Sequence, residues 1–184
     1  DYKNLAKKIL STVRVKPISF EVFSDDLIEI EKQAKEIASW GKNINVKIPV
    51  TNTKGESCDL IIKRLNQSGI VCNVTAIFTI NQIRKIIDNL NPSTEIILSI
   101  FAGRIADTGE DPVPLMKKAK EICQKNKNIK ILWASTREIY NIFEAENCNS
   151  GIITVPYDLI KKLKYVGKDL NQFSLDTIKK FVKD

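Results

Sequence analysis

The chain has 184 residues, 43% of them hydrophobic and 28% charged, which supports one domain with a substantial core. It contains no histidine, so Ser-His-Asp and Cys-His catalysis and the commonest zinc ligand are excluded together, and its four cysteines (Cys58, Cys72, Cys123, Cys148) form no CxxC pair. The net charge of +7 is spread over single and paired lysines in amphipathic stretches, without the basic run or interleaved aromatics of a nucleic-acid binder.

In chain order, a helix is predicted over 2–12, after which short apolar runs alternate with longer amphipathic segments, the mark of repeated βα units and a parallel sheet. The first strand is predicted over 18–23. Ser24 reads as the N-cap of a helix over 25–40 that Gly41 stops, with Ile28, Ala34, Ile37 and Ala38 on its buried face. A strand over 44–50 follows, then a helix over 56–66 with Gly69 behind it, a strand over 71–78 and a helix over 80–90 ended by Asn91-Pro92. The remaining elements are strands over 95–101, 129–134 and 151–155, helices over 112–126, 137–146 and 157–163, and a last helix capped by Ser174. No apolar run approaches the roughly 18 to 20 residues that span a bilayer, so no membrane is expected and the chain reads as cytoplasmic.

Residues two apart in a strand share a face. In the second strand Ile44, Val46, Ile48 and Val50 form the apolar parity, and Asn45, Lys47 and Pro49 the other. By the same rule Glu21, Asn73, Thr75 and Ser99 point away from the helix layer, and Ser135 is expected at a strand as well. Glu21, Lys47, Asn73 and Ser99 fall 26 residues apart each time, which suits a strand–turn–helix–turn repeat. No GxGxxG follows any strand, and polar groups converging from successive strands fit a barrel interior better than an open dinucleotide-binding sheet. The expected fold is therefore α/β, a TIM (β/α)8 barrel.

A lysine between Val46 and Ile48 in a barrel mouth loses the hydration that favours its ammonium form, and such an amine can attack a carbonyl. The alternative is a snorkelling lysine or one paired with Glu21. Pro49 argues that the strand ends near Lys47, at the C-terminal rim where barrel active sites lie. Glu21, Asn73 and Thr75 can hold a water for proton transfer, or can form only a satisfied polar network. Arg104 and Arg137, each just after a strand and with Ser135 nearby, suit a phosphate clamp, against the alternative of surface salt bridges with partners such as Asp107 or Asp111.

Four ordered segments, Val46-Lys47-Ile48-Pro49-Val50-Thr51, Asn73-Val74-Thr75, Phe101-Ala102-Gly103-Arg104-Ile105 and Ala134-Ser135-Thr136-Arg137, resemble transaldolase motifs, and the match runs from about Leu5 to the C-terminus. The segments are similar to those of short bacterial and phage-type transaldolases. The resemblance implies a Schiff base on Lys47, a water held by Glu21 and Thr75, substrate contacts from Asn73, Ser99 and Phe101, and phosphate binding by Arg104, Ser135 and Arg137. It also implies transfer of a dihydroxyacetone unit between phosphorylated ketose and aldose substrates, within pentose phosphate metabolism, by a homo-oligomer that needs no metal or organic cofactor. Fructose 6-phosphate aldolases share the fold and the lysine, but that subgroup has Gln where Glu21 stands and Tyr where Phe101 stands; a phosphosugar-binding barrel without turnover is a further alternative. The family begins with a strand carrying an acid-base Asp and a second strand ending in a Thr-Asn-Pro-like segment, and neither precedes the predicted helix over 2–12. The expectation is thus a single transaldolase-like barrel domain over 1–184, N-terminally incomplete, with the first two strands missing.

Overall fold

Period-two alternation gives every strand two faces, and in this chain the faces differ in chemistry. The computed structural model describes residues 1–182. Its strands are β1 (Ile18–Glu21), β2 (Ile44–Pro49), β3 (Cys72–Ile77), β4 (Ile96–Ile100), β5 (Ile129–Trp133) and β6 (Ile152–Ile153). The helices are α1 (Tyr2–Thr12), α2 (Leu27–Ala38), α3 (Asp59–Gln67), α4 (Ile80–Ile87), α5 (Ala102–Ala106), α6 (Pro112–Cys123), α7 (Tyr140–Asn147), α8 (Tyr157–Ile160), extended by a 3-10 turn, and α9 (Leu170–Phe181). No described helix is long and apolar enough to cross a membrane.

The strands pair in parallel in the order β1-β2-β3-β4-β5-β6, and among the described residues β1 and β6 do not pair with each other. The sheet is a curled half-barrel of TIM-barrel type. The curl is visible in one hydrogen bond: Asn73 Nδ2 on β3 donates to Ser19 Oγ on β1 at 2.9 Å, although β2 lies between them. On a flat sheet those strands would stand about 9 to 10 Å apart, beyond the reach of two short side chains, so the face must be concave.

The convex face carries the main core. Phe20, Val46, Ile48, Cys72, Val74, Ile96, Leu98, Ile131 and Trp133 pack there against Ile30, Ala34, Ile37, Ile62, Leu65, Ile83, Ile86, Met116 and Ala119 of the helices. The concave face has only a small apolar cluster at its β4–β5 end, built on Ile97, Leu132 and Ala134 with Phe101 and Ile152. The rest of that face is polar, as the parity of β2 predicts.

Several boundaries differ from expectation. Asp26, not Ser24, caps α2 by accepting from the N–H groups of Ile28 and Glu29, and Ser24 instead accepts from Asp26 N–H. The buried face of α2 is Ile30, Ala34 and Ile37, and Ile28 is 78% exposed. Two positions along a helix turn about 200°, which puts Ile28 opposite Ile30. The last helix is capped by Asp169 and encloses Ser174; α9 contributes no buried residue. The helix predicted over 56–66 begins only at Asp59, because residues 50–58 close into a loop joined by a Thr51–Ser57 bridge. That predicted over 137–146 begins at Tyr140, with the N–H groups of Arg137 and Glu138 donating to Asn141 Oδ1. Helix α5, immediately after β4, has no counterpart in the sequence expectation.

Candidate active site

Register places the predicted residues beside one another. Glu21, Lys47 and Asn73 are mutual partners across β1, β2 and β3, a single lateral row on the concave face. Lys47 Nζ lies 3.2 Å from Glu21 Oε2, with the lysine side chain 32% exposed and the glutamate 51% exposed. The pairing foreseen as an alternative is therefore present, and its geometry is also that of a proton acceptor within reach of an amine. Glu21 is held from behind: its N–H donates to the Tyr2 hydroxyl at 2.9 Å, and the Tyr2 ring sits edge-on among Phe20, Phe23 and Trp40.

Asn73 is the hub of the row. It donates to Ser19 Oγ and its Oδ1 accepts from Ser99 Oγ at 2.6 Å, so one network spans β1 to β4. Ser19 was not singled out from sequence, although it shares Glu21's parity two residues earlier. One pleat beyond Asn73, Thr75 is 3% exposed and its hydroxyl has no hydrogen-bond partner among the described residues. A buried hydroxyl left unpaired costs about 1 to 3 kcal/mol, which a bound water or substrate oxygen would relieve. Just after it, Ala76 adopts φ 59 and the register to β4 shifts, so Ile77 returns to the core and the polar parity stops at Thr75.

The loops leaving β1 and β2 are tied to each other. Asp25 accepts from the Thr53 N–H at 2.7 Å and from the Thr53 hydroxyl at 2.6 Å, and Asn52 Nδ2 donates to the Asp25 carbonyl. The Thr53 hydroxyl, then its N–H, hold the Asp25 carboxyl below the usual range. The four cysteines stay outside the site: all are buried, and desolvation pushes the thiols of Cys58 and Cys123 up to about 11 and that of Cys72 to about 12, unlike a nucleophile's.

Toward β4 and β5 the concave face continues through Ser99 to Phe101, whose ring lies 5.7 Å from that of Phe78 and carries the Arg104 guanidinium 5.6 Å above its centroid. Arg137 Nη2 donates to Asp107 Oδ2 at 2.5 Å, both side chains about half exposed, whereas Asp111 caps α6 instead of pairing with an arginine. Ser135 lies beyond the end of β5 with φ 65, not within a strand. The two arginine-bearing segments touch backbone to backbone: a Cβ on Gly103 would fall 1.6 Å from the Ser135 carbonyl oxygen, and Gly103 N–H donates to the Ala134 carbonyl at 3.3 Å. Only glycine fits there.

Fold and site together define a parallel α/β half-barrel with a lysine–carboxylate row and two arginines at its strand ends. The chain belongs to the Transaldolase/Fructose-6-phosphate aldolase family, whose model matches residues 2–184. It is 31% identical over 164 residues to a "Probable transaldolase" of Dehalococcoides mccartyi, covering 89% of this chain and 72% of that protein. Over 187 residues it is 31% identical to a "Probable transaldolase" of Caldicellulosiruptor saccharolyticus, covering 100% of this chain and 79% of the relative. Among solved structures, a dihydrodipicolinate synthase from Rhodopseudomonas palustris is similar at a TM-score of 0.44 and 12% identity, covering 95% of this chain and 72% of that one; so low a score carries no weight for fold or function.

Proposed function

We propose that the protein is a transaldolase that moves a dihydroxyacetone unit between sugar phosphates through a Schiff base on Lys47. The observation that carries this reading is the Lys47–Glu21 contact of 3.2 Å inside an otherwise hydrogen-bonded polar row. Glu21 takes a proton from the Lys47 ammonium, and the freed amine adds to the ketose carbonyl. Loss of water then gives the imine, with the Thr75 hydroxyl and Glu21 holding that water for the reverse step. Asn73 and Ser99 meet the sugar hydroxyls, and Arg104, Ser135 and Arg137 the phosphate. Glu21, which has returned its proton to the departing water, takes the C4 hydroxyl proton through the held water. The C3–C4 bond breaks, its electron pair passes to the iminium, the remaining carbons leave as an aldose phosphate, and a three-carbon enamine stays on Lys47. Phe101 offers it no proton, which favours capture by an aldose phosphate over release. Closure of the half-barrel to (β/α)8, by further strands between β6 and β1, belongs to the same proposal.

The test is borohydride reduction in the presence of fructose 6-phosphate, followed by peptide mass analysis. A stable adduct on the peptide containing Lys47 is expected, lost in Lys47→Met. Turnover with the label on another residue, or with none, would overturn the assignment. Rapid release of free dihydroxyacetone, undiminished by added erythrose 4-phosphate, would turn the proposal from transferase to aldolase.

A further inference from the structure

The two arginines at the strand ends are held in unequal ways. Arg137 is fixed at two points: its N–H donates to Asn141 Oδ1 at 2.9 Å, and its Nη2 donates to Asp107 Oδ2 at 2.5 Å. Asn141 is itself 8% exposed and anchored, through Nδ2, to Glu144 Oε2 at 2.7 Å. Arg104, by contrast, is exposed, and among the described residues it forms no ion pair and rests only on the face of Phe101. Asp107 engages one terminal nitrogen of Arg137, and a guanidinium has five N–H donors in a rigid planar fork, so donors remain for a second anion.

We infer that Asp107 is a positioning residue: its carboxylate holds the Arg137 guanidinium in one orientation, so that an incoming phosphate meets a donor edge already aimed. The inference rests on the phosphate-binding role of the two arginines. Two effects of Asp107 oppose each other here. Its hydrogen bond pre-orders Arg137, and its negative charge repels the dianion it helps to bind. Both groups are half exposed, so each effect is small, and substitution of the charge apart from the hydrogen bond separates them.

Asp107→Ala removes both effects, and Asp107→Asn keeps an acceptor oxygen without the charge. Inorganic phosphate is titrated by calorimetry into the unaltered protein and each variant, with thermal melts to check folding. In parallel, the concentration dependence of borohydride trapping is measured with fructose 6-phosphate and with unphosphorylated dihydroxyacetone. Asp107→Ala is expected to weaken phosphate binding about 3- to 5-fold, the scale of one exposed ion pair, and Asp107→Asn to restore it to within about twofold. Half-saturation with fructose 6-phosphate should move in step, while the plateau trapping rate and the response to dihydroxyacetone hold to within about twofold. Phosphate binding that is equal or tighter in Asp107→Ala overturns the inference and makes Asp107 a competitor of the ligand. Equal losses for both sugars overturn it in favour of a general structural role. Absence of phosphate binding in the unaltered protein sinks the phosphate role of the arginines, whereas failure of Lys47 to trap either sugar sinks the Schiff base and leaves the calorimetric comparison to decide on Asp107.

Discussion

Gly103→Ala separates helix propensity from packing at one atom. Gly103 lies in α5, where alanine is favoured over glycine by about 1 kcal/mol, so propensity alone predicts a more stable protein. The added Cβ would, however, sit 1.6 Å from the Ser135 carbonyl oxygen, whereas real Cβ contacts essentially never fall under 3.0 Å. The difference, 3.0 minus 1.6, requires at least 1.4 Å of relative movement between two backbones, and no side chain can swing aside to supply it. Overpacking costs about 1 to 3 kcal/mol, and a clash between two backbones belongs in the upper part of that range, so against the helix gain a net loss of about 1 to 2 kcal/mol remains. For a chain of this size each kcal/mol moves Tm by about 2 to 4 °C, and a fall of roughly 2 to 8 °C is expected. The displaced segment, Ser135 to Arg137, bears half of the proposed phosphate clamp, and misplacement by about 1 Å can cost about a hundredfold in rate. Thermal melts and trapping with fructose 6-phosphate against dihydroxyacetone measure the two effects. A Gly103→Ala protein with unchanged or raised Tm would refute the close approach, and one with normal discrimination between the two sugars would separate that contact from phosphate recognition.

Two further substitutions follow from the hydrogen-bond inventory. Thr75→Val removes a buried hydroxyl that has no partner among the described residues, so stability should hold or rise, by up to about 1 to 3 kcal/mol, while imine hydrolysis, followed by single-turnover kinetics, slows by about 10- to 100-fold. Glu31 bonds Arg64 and Lys35, which hold its carboxyl at about 2 against the ordinary 4.5. The folded state thus binds the proton less well than the unfolded chain, and the stabilisation is complete above about pH 4.5 and lost as pH falls toward 2. Both cationic partners are more than half exposed, which scales the contribution down to about 1 kcal/mol. Glu31→Gln should lose that amount at neutral pH and flatten chemical-denaturation stability between pH 4.5 and 2; an unchanged slope would show that the pair does not contribute.

What the amino-acid sequence determined by itself was whatever rests on local periodicity. Alternating apolar runs and amphipathic segments specify parallel βα units, and the two-residue period of β2 sends Lys47 away from Val46 and Ile48 before any tertiary contact is known. The 26-residue spacing puts Glu21, Lys47 and Asn73 in one register row on adjacent strands, whereas on β4 the partner of Asn73 is Ile97 and Ser99 stands two residues further along. Contacts set by register, curl and backbone approach were decided only in three dimensions. Ser19 and Asn73 meet across an intervening strand because the sheet is concave, the Tyr2 hydroxyl of α1 accepts from the Glu21 N–H, and the turn at Ala76 ends the polar face of β3. Ile28 lies about 180° to 240° around α2 from Ile30, Ala34 and Ile37, and which of the two sides is buried was decided by the packing of the helix on the sheet. Gly103 stood in a visible motif, yet its reason for being glycine is the carbonyl of Ser135, brought there by the pairing of β4 with β5. A sequence pattern states which way a side chain faces on its own element; what it meets there depends on where the other elements come to lie.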